Sequence, residues 1–115
     1  MRPTALFAGA LLALAAAGCS SGAKSPDEIC PNPVAATTVE MADFSFAPGC
    51  VEIDAGTSLT LDNVGGAPHT FTVEGTEADV AAGETAELDL GGIAAGTYEV
   101  TCTYHPQMVG GLRVT

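Results

Sequence analysis

The sequence predicts an all-β fold, a Greek-key β-sandwich of seven or eight short strands. Two observations lead to this prediction. Segments in which apolar and polar residues alternate recur along the chain from Thr37 onward, and turn signals rich in glycine separate them. Alternation with a period of two is typical of strands with one buried face. Several such strands, spaced by about 8 to 12 residues, are typical of an antiparallel sandwich, which is the arrangement we expect.

Seven segments carry the alternating pattern. In chain order they are residues 37–46, 51–54, 58–63, 69–73, 86–90, 96–102 and 112–114. The turn signals between them are Pro48-Gly49, Ala55-Gly56, Gly65-Gly66, Glu74-Gly75, Ala82-Gly83 and Gly91-Gly92. The one helix candidate, residues 76–82, has no apolar stripe at the helical period and is too short to be stable alone. We therefore expect no helix beyond Thr37.

Length and charge limit the class of protein. With 115 residues the chain has room for one domain. Fourteen Asp plus Glu against three Lys plus Arg give a formal charge of −11, so we expect no nucleic-acid partner, because phosphate binding needs a surplus of basic residues. We also find no paired-carboxylate site, phosphate-binding loop or Ser/His/Asp arrangement, and we predict that the protein is not an enzyme.

The N-terminal residues have the pattern of a secretory signal. A positive start, Met1-Arg2, precedes an apolar run over residues 5–17, which is short for a membrane-spanning helix of about 20 residues. The small residues before Cys19 resemble the lipobox of bacterial lipoproteins. This resemblance implies a lipid on Cys19 and a location at a membrane surface facing the periplasm or the cell exterior. An ordinary secretory signal is the alternative.

These features predict three regions along the chain. They are a lipoprotein signal peptide at residues 1–18, a flexible tether at residues 19–29 and one folded domain at residues 30–115.

Export to an oxidising compartment limits the roles of the cysteines. With Cys19 lipidated, three remain, and an odd number implies one disulfide and one thiol with another role. Cys30 and Cys50 each border a turn-like stretch, which favours a disulfide between them, although sequence alone does not decide connectivity. Cys102 is then the free thiol.

A short segment near the C-terminus carries three side chains that bind soft metals. Cys102, His105 and Met108 follow one another at intervals of three residues. Pro106 lacks the backbone donor that a continued strand needs, so we expect a tight loop over residues 102–108. Such a loop can bring a thiolate, an imidazole and a thioether around one centre.

This set of donors favours copper. Thiolate and thioether are soft ligands, and imidazole binds both Cu(I) and Cu(II). His69 is the only other histidine of the chain. It would complete a His2Cys set with methionine as a weak axial ligand, the arrangement of blue-copper electron-transfer sites. A structural zinc site is the competing interpretation, but it would usually need four strong N, S or O ligands, and the Met108 thioether would serve poorly.

The same residues resemble the cupredoxins, and most closely the amicyanin- and plastocyanin-like members. Residues 96–108 look like the copper-binding end of that family, with its Cys-x2-His-x2-Met spacing. Residues 63–69 resemble the segment that carries the first copper histidine, and residues 41–48 extend the match. The resemblance implies one copper ion that cycles between Cu(I) and Cu(II), with the ligands His69, Cys102, His105 and Met108.

The resemblance also implies residues that support the ligands. Asn63 is expected to hydrogen-bond near Thr103, the residue after the ligand cysteine, and Pro68 precedes the first ligand histidine. Thr70 departs from the family pattern, because an asparagine often follows the first histidine. This departure affects the hydrogen bonds that are expected to hold the ligand loop, but not the identity of the ligand His69.

Four protein ligands leave no strong open position for a substrate, which favours an electron carrier. By resemblance, His105 should lie near the surface as the electron port, and the protein should be a monomer. We expect an apolar patch around it for brief docking of redox partners such as a cytochrome or a membrane oxidoreductase. The residues expected in that patch are Gly66, Ala67, Pro68, Pro106 and Val109.

Two other functions use the same sequence features. A Cu(I) chaperone or copper-sequestering protein would use the same four ligands without shuttling electrons. A sandwich that serves only adhesion or assembly would bind no copper.

Overall fold

The computed structural model describes residues 24–115. One short helix and ten strands follow one another in this part of the chain. They are α1 (Pro26–Ile29), β1 (Val34–Ala35), β2 (Thr38–Ala42), β3 (Ser45–Ala47), β4 (Cys50–Ile53), β5 (Ser58–Asn63), β6 (His69–Val73), β7 (Thr76–Val80), β8 (Thr85–Asp89), β9 (Gly96–Cys102) and β10 (His105–Val114).

The strands form two sheets. The larger sheet has the order β1-β4-β10-β9-β6-β7, and the smaller sheet has the order β3-β2-β5-β8. Neighbouring strands are antiparallel except in three pairs, β1–β4, β4–β10 and β2–β5, which are parallel. The all-β prediction is therefore confirmed, but the sandwich is mixed in strand direction.

The structure has ten strands where the sequence predicts seven or eight. The predicted segment 37–46 forms two strands, β2 and β3, because the chain turns at Asp43-Phe44 and pairs with itself. Residues 76–80 form β7, which pairs along its whole length with β6. Since β1 is only two residues long and pairs with β4, no alternating pattern marks it.

Alternation along each strand fills the space between the sheets. In β5, for example, Leu59, Leu61 and Asn63 are buried, and the residues between them are partly exposed. The largest completely buried side chains include Phe71, Met41 and Leu112. Burying apolar side chains of this size stabilises the fold by about 1.5–3 kcal/mol each.

The predicted disulfide is confirmed. Cys30 and Cys50 are bonded, with their Cα atoms 5.3 Å apart. The bond holds the segment after α1 against the start of β4. A Cβ atom at Gly111 would lie 2.8 Å from the carbonyl oxygen of Ile29 and also meet the sulfur of Cys30. Only glycine at this position of β10 therefore allows the N-terminal segment to pack so closely.

Helix α1 occupies residues that the sequence analysis assigns to the tether. Its first turn is capped by Ser25, whose hydroxyl oxygen accepts a hydrogen bond from the backbone of Glu28. Within residues 24–115, no helix is long and apolar enough to span a membrane. The predicted signal peptide and the lipidated Cys19 lie outside the described residues and remain predictions.

Candidate metal centre

Three of the four predicted ligands converge in the structure. The sulfur of Cys102 lies 4.0 Å from Nδ1 of His69 and 3.5 Å from Nδ1 of His105. All three donor atoms lie within 4.8 Å of one another. His69 and Cys102 are buried, and His105 is half-buried. In residues 24–115, no other group of three His, Cys, Asp or Glu side chains has this arrangement.

Strand pairing brings these residues together. His69 is the first residue of β6, Cys102 is the last of β9, and His105 is the first of β10. Because β9 is antiparallel to both β6 and β10, the end of β9 lies beside the beginnings of its two neighbours. Alternation along β9 then turns Cys102 toward the core, where it is 2% exposed.

The ligand segment is a hairpin with a bulge, which differs from the predicted loop over residues 102–108. A two-residue turn follows Cys102, and β10 already begins at His105. The register then shifts, because His105 pairs with Cys102 while Val109 pairs with Thr101. The intervening residues have no partner in β9. The bulge therefore accommodates Pro106 in a strand, since no ladder donor is needed there.

Met108, the fourth predicted ligand, lies in this bulge. Its side chain is completely buried and belongs to the same hydrophobic cluster as Cys102. The structure therefore places the Met108 thioether in the hydrophobic core, three residues after His105 along the chain. Its role as an axial ligand remains a prediction.

Thr70 ties the ligand hairpin to β6. Its backbone N–H donates to the sulfur of Cys102 over 3.4 Å, and its hydroxyl oxygen accepts a hydrogen bond from the backbone N–H of Thr103 at 2.8 Å. This N–H is therefore aimed at the sulfur atom that would bind the metal. Thr70 thus holds the loop although it replaces the asparagine of the family pattern.

Asn63 has a different role from the one expected. Its side-chain amide donates to the carbonyl oxygens of Ala67 and Val80, each at 2.9 Å, and its side-chain oxygen accepts from Gly65. None of these bonds reaches Thr103. Asn63 therefore supports the segment before His69 and joins it to Val80, the last residue of β7. Pro68 lies in that segment and is exposed.

Asp43 is a contact residue of the site that the sequence analysis missed. Its Oδ1 lies 2.9 Å from Nε2 of His69, and its carboxylate accepts hydrogen bonds from the backbone of Gly66 and Ala67. The bond from Gly66, followed by the bond to His69, holds the pKa of Asp43 below its ordinary value. The only signal for this contact in the sequence is the Gly65-Gly66 pair, because glycine lets the Asp43 carboxylate approach the backbone closely.

A second carboxylate, Glu77 on β7, accepts hydrogen bonds from hydroxyl groups around the hairpin. It accepts a hydrogen bond from Thr72 at 2.8 Å and another from the hydroxyl of Thr103. The hydroxyl oxygens of Thr70 and Thr72 are 2.9 Å apart. Hydrogen bonding by Thr103 first, and then by Thr72, holds the pKa of Glu77 below its ordinary value.

Replacing Glu77 by glutamine should reduce the loss of stability in acid. A carboxylate whose pKa is lower in the folded state contributes stability above its unfolded pKa, about 4.3 for glutamate, and this contribution is lost as the pH falls through the folded pKa. Glu77→Gln cannot be protonated in this way. Denaturant unfolding at neutral pH and below pH 4 measures the difference. The exposed Glu87→Gln on β8 serves as the control and should keep the pH dependence of the unmodified chain.

Exposed aromatic side chains surround the half-buried His105. The ring of Phe44 lies 4.7 Å from the ring of His105, and the ring of Tyr104 lies 6.4 Å from it. Phe44 is 52% exposed and Tyr104 is 47% exposed. The hydroxyl of Tyr104 donates to Asp79, which raises the pKa of Tyr104.

All residues expected in the apolar patch are at least partly exposed. Phe44 and Tyr104, whose rings lie next to His105, are further exposed residues that this expectation does not include.

The donor set fits a soft or borderline metal ion. Two imidazole nitrogens and one sulfur face one another, and a completely buried thioether follows in the bulge. Imidazole and thiolate together suit copper or zinc, whereas carboxylate oxygens would suit magnesium or calcium. No carboxylate belongs to the converging group, since Asp43 contacts the far nitrogen of His69.

Comparisons with known proteins identify a family and proteins of similar fold. A family model described as a cupredoxin-like domain matches residues 7–114. A search of curated proteins finds no match. Among solved structures, a novel purple cupredoxin from Nitrosopumilus maritimus aligns with a TM-score of 0.59 and 19% identity, over 70% of this chain and all of that chain.

Two further solved structures have a similar fold. An oxidized amicyanin mutant aligns with a TM-score of 0.59 and 22% identity, over 70% of this chain and 82% of that chain. A mutant plastocyanin of fern aligns with a TM-score of 0.58 and 20% identity, over 68% of this chain and 99% of that chain. At these identities the likeness concerns the fold.

Proposed function

Since the chain belongs to the family of cupredoxin-like domains, we propose that it is a copper-binding electron-transfer protein with a type 1 (blue) copper site. One observation carries this proposal. The Nδ1 atoms of His69 and His105 both face the sulfur of Cys102, at 4.0 and 3.5 Å. A bound copper ion would supply a one-electron Cu(I)/Cu(II) couple at this point.

The protein's own contribution is to hold the donors in place. His69 and Cys102 are buried at the ends of paired strands, so neither side chain has room to change its position much. The N–H of Thr70 donates to the Cys102 sulfur, and the bulge keeps Met108 inside the core. Donors that stay in place suit electron transfer, because little then has to move when the charge of the centre changes.

Features of the surface favour the proposal that the protein exchanges electrons with a partner protein. His105 is the only half-buried member of the converging group, and the exposed rings of Phe44 and Tyr104 lie next to it. Weak redox encounters use small interfaces of this kind. The acidic remainder of the chain favours a partner with basic residues, such as a cytochrome, and makes association dependent on salt.

The remaining parts of the proposal concern location. We propose that the protein is exported and anchored by a lipid on Cys19, so that the domain works at a membrane surface facing the periplasm or the cell exterior. We also propose that the protein acts as a monomer. A short tether would hold the domain near membrane oxidoreductases and raise its effective concentration there.

Loading the purified full-length protein with Cu(II) tests the function. We expect one copper ion per chain, an intense visible absorption and a reversible one-electron wave in voltammetry. A colourless Cu(II) complex with the Cys102 thiol intact would contradict the proposal. Tight Cu(I) binding and transfer to an acceptor, without a reversible wave, would instead support the Cu(I) chaperone.

A further inference from the structure

Asp43 lies in the turn between β2 and β3 and contacts His69 across the two sheets. Its Oδ1 is 2.9 Å from Nε2 of His69, a side chain that is completely buried. The backbone N–H groups of Gly66 and Ala67 donate to the same carboxylate at 3.0 and 3.2 Å. Three nitrogen atoms, those of the Gly66 and Ala67 backbone and Nε2 of His69, therefore hold the carboxylate at the far side of the ligand ring.

This contact determines which nitrogen of His69 carries the proton. A neutral imidazole has one N–H donor and one acceptor nitrogen, and an ionised carboxylate can only accept. The proton of His69 must then lie on Nε2, facing Asp43. Nδ1, the atom that faces Cys102, is left with a free lone pair and is ready to bind a metal ion.

Gly65 provides the space for this carboxylate. A Cβ atom at this position would collide with Oδ1 of Asp43 and would lie 3.0 Å from the backbone nitrogen of Asp43. Any side chain at residue 65 would push the turn away from His69. Asp43 and Gly65 are thus matched to each other although 22 positions separate them in the sequence.

We propose that Asp43 is a positioning residue of the copper centre, which holds His69 in the Nε2–H tautomer and favours Cu(II) over Cu(I). The inference rests on the proposed copper site. A carboxylate that accepts the N–H of a ligand histidine makes the opposite nitrogen a stronger electron donor. Stronger donation stabilises the more highly charged ion more, so Asp43 lowers the reduction potential.

The first test compares Asp43→Asn with Glu40→Gln, which removes one negative charge from the neighbouring strand β2. For Asp43→Asn we expect Cu(II) affinity to fall by about 10- to 100-fold, in the usual range for residues that support metal ligands. Cu(I) affinity should fall less, so the reduction potential should rise at constant pH. The Glu40→Gln control should keep the potential of the unmodified protein. An unchanged or lower potential in Asp43→Asn would overturn the inference.

The second test needs no copper. Nitrogen-15 NMR of the copper-free full-length protein should show His69 in the Nε2–H tautomer, and Asp43→Asn should show a mixture of tautomers. Finding the Nδ1–H tautomer in the unmodified protein would overturn the inference. Because this measurement involves no metal, its outcome is independent of whether the protein forms a blue copper site.

A third variant separates position from charge. Gly65→Ala keeps the carboxylate but displaces it from His69, so the potential should rise as in Asp43→Asn. A reduction potential equal to that of the unmodified protein would contradict the inference that Asp43 acts through its contact with His69. Should Asp43→Asn not fold, Gly65→Ala and the tautomer of the unmodified protein decide the question.

Discussion

Replacing Cys102 by serine should abolish the intense visible absorption of the Cu(II)-loaded protein. A serine hydroxyl is similar in size, but at neutral pH it is neither an anion nor a soft ligand, so the copper–thiolate bond is lost. Copper affinity should fall as well, since one of the three converging donors is removed. Visible spectra after addition of one equivalent of Cu(II) measure the effect.

The other two cysteines of the described domain supply a matched control. A double variant, Cys30→Ala with Cys50→Ala, removes two sulfur atoms that take no part in the converging group. It should keep the visible absorption when folded. Full absorption in Cys102→Ser would show that the colour arises elsewhere and would contradict the proposed site.

The same double variant should lose about 3 kcal/mol of free energy of unfolding. The disulfide closes a loop with a sequence separation of 20, and the loop-entropy model gives about this value for such a loop. The cross-link also holds the segment after α1 beside Gly111. Denaturant unfolding of the copper-free protein measures the loss, with disulfide content checked by thiol titration.

A small effect would contradict this prediction. If the double variant and the unmodified chain unfold within 1 kcal/mol of each other, the cross-link does not restrict the unfolded chain as the model assumes. Chemical reduction of the unmodified protein is the matched experiment, since it opens the same loop without a change of sequence. Both treatments should lower stability by a similar amount.

Alternation predicted three of the longer strands, but it predicted only residues 112–114 of β10 (His105–Val114), the longest strand, because the bulge interrupts the pattern. Segments 58–63, 69–73 and 96–102 are strands with the predicted bounds. The short strands were missed or merged, as in residues 37–46, because two or three residues do not make a recognisable period. Strand β7 was missed because its pairing with β6 creates the strand, while its own residues are mostly polar.

Identification of the ligands depended on local spacing and scarcity. Cys102, His105 and Met108 lie within seven positions, and only one other histidine exists. The residues that hold the ligands could not be found in this way. Thr70 and Asp43 act on side chains 32 and 26 positions away, and their contacts depend on strand register and on how the two sheets face each other.

The sequence alone determined the all-β class, and it indicated the disulfide pair and the candidate donor residues, since these follow from residue identity and short-range pattern. The tertiary structure decided the direction of the strand pairs, the bulge that buries Met108 and the contact between Asp43 and His69. The physical reason is the range of the interactions. Alternation and ligand spacing act over a few residues, whereas register and sheet packing balance contacts over the whole core, and no local pattern encodes that balance.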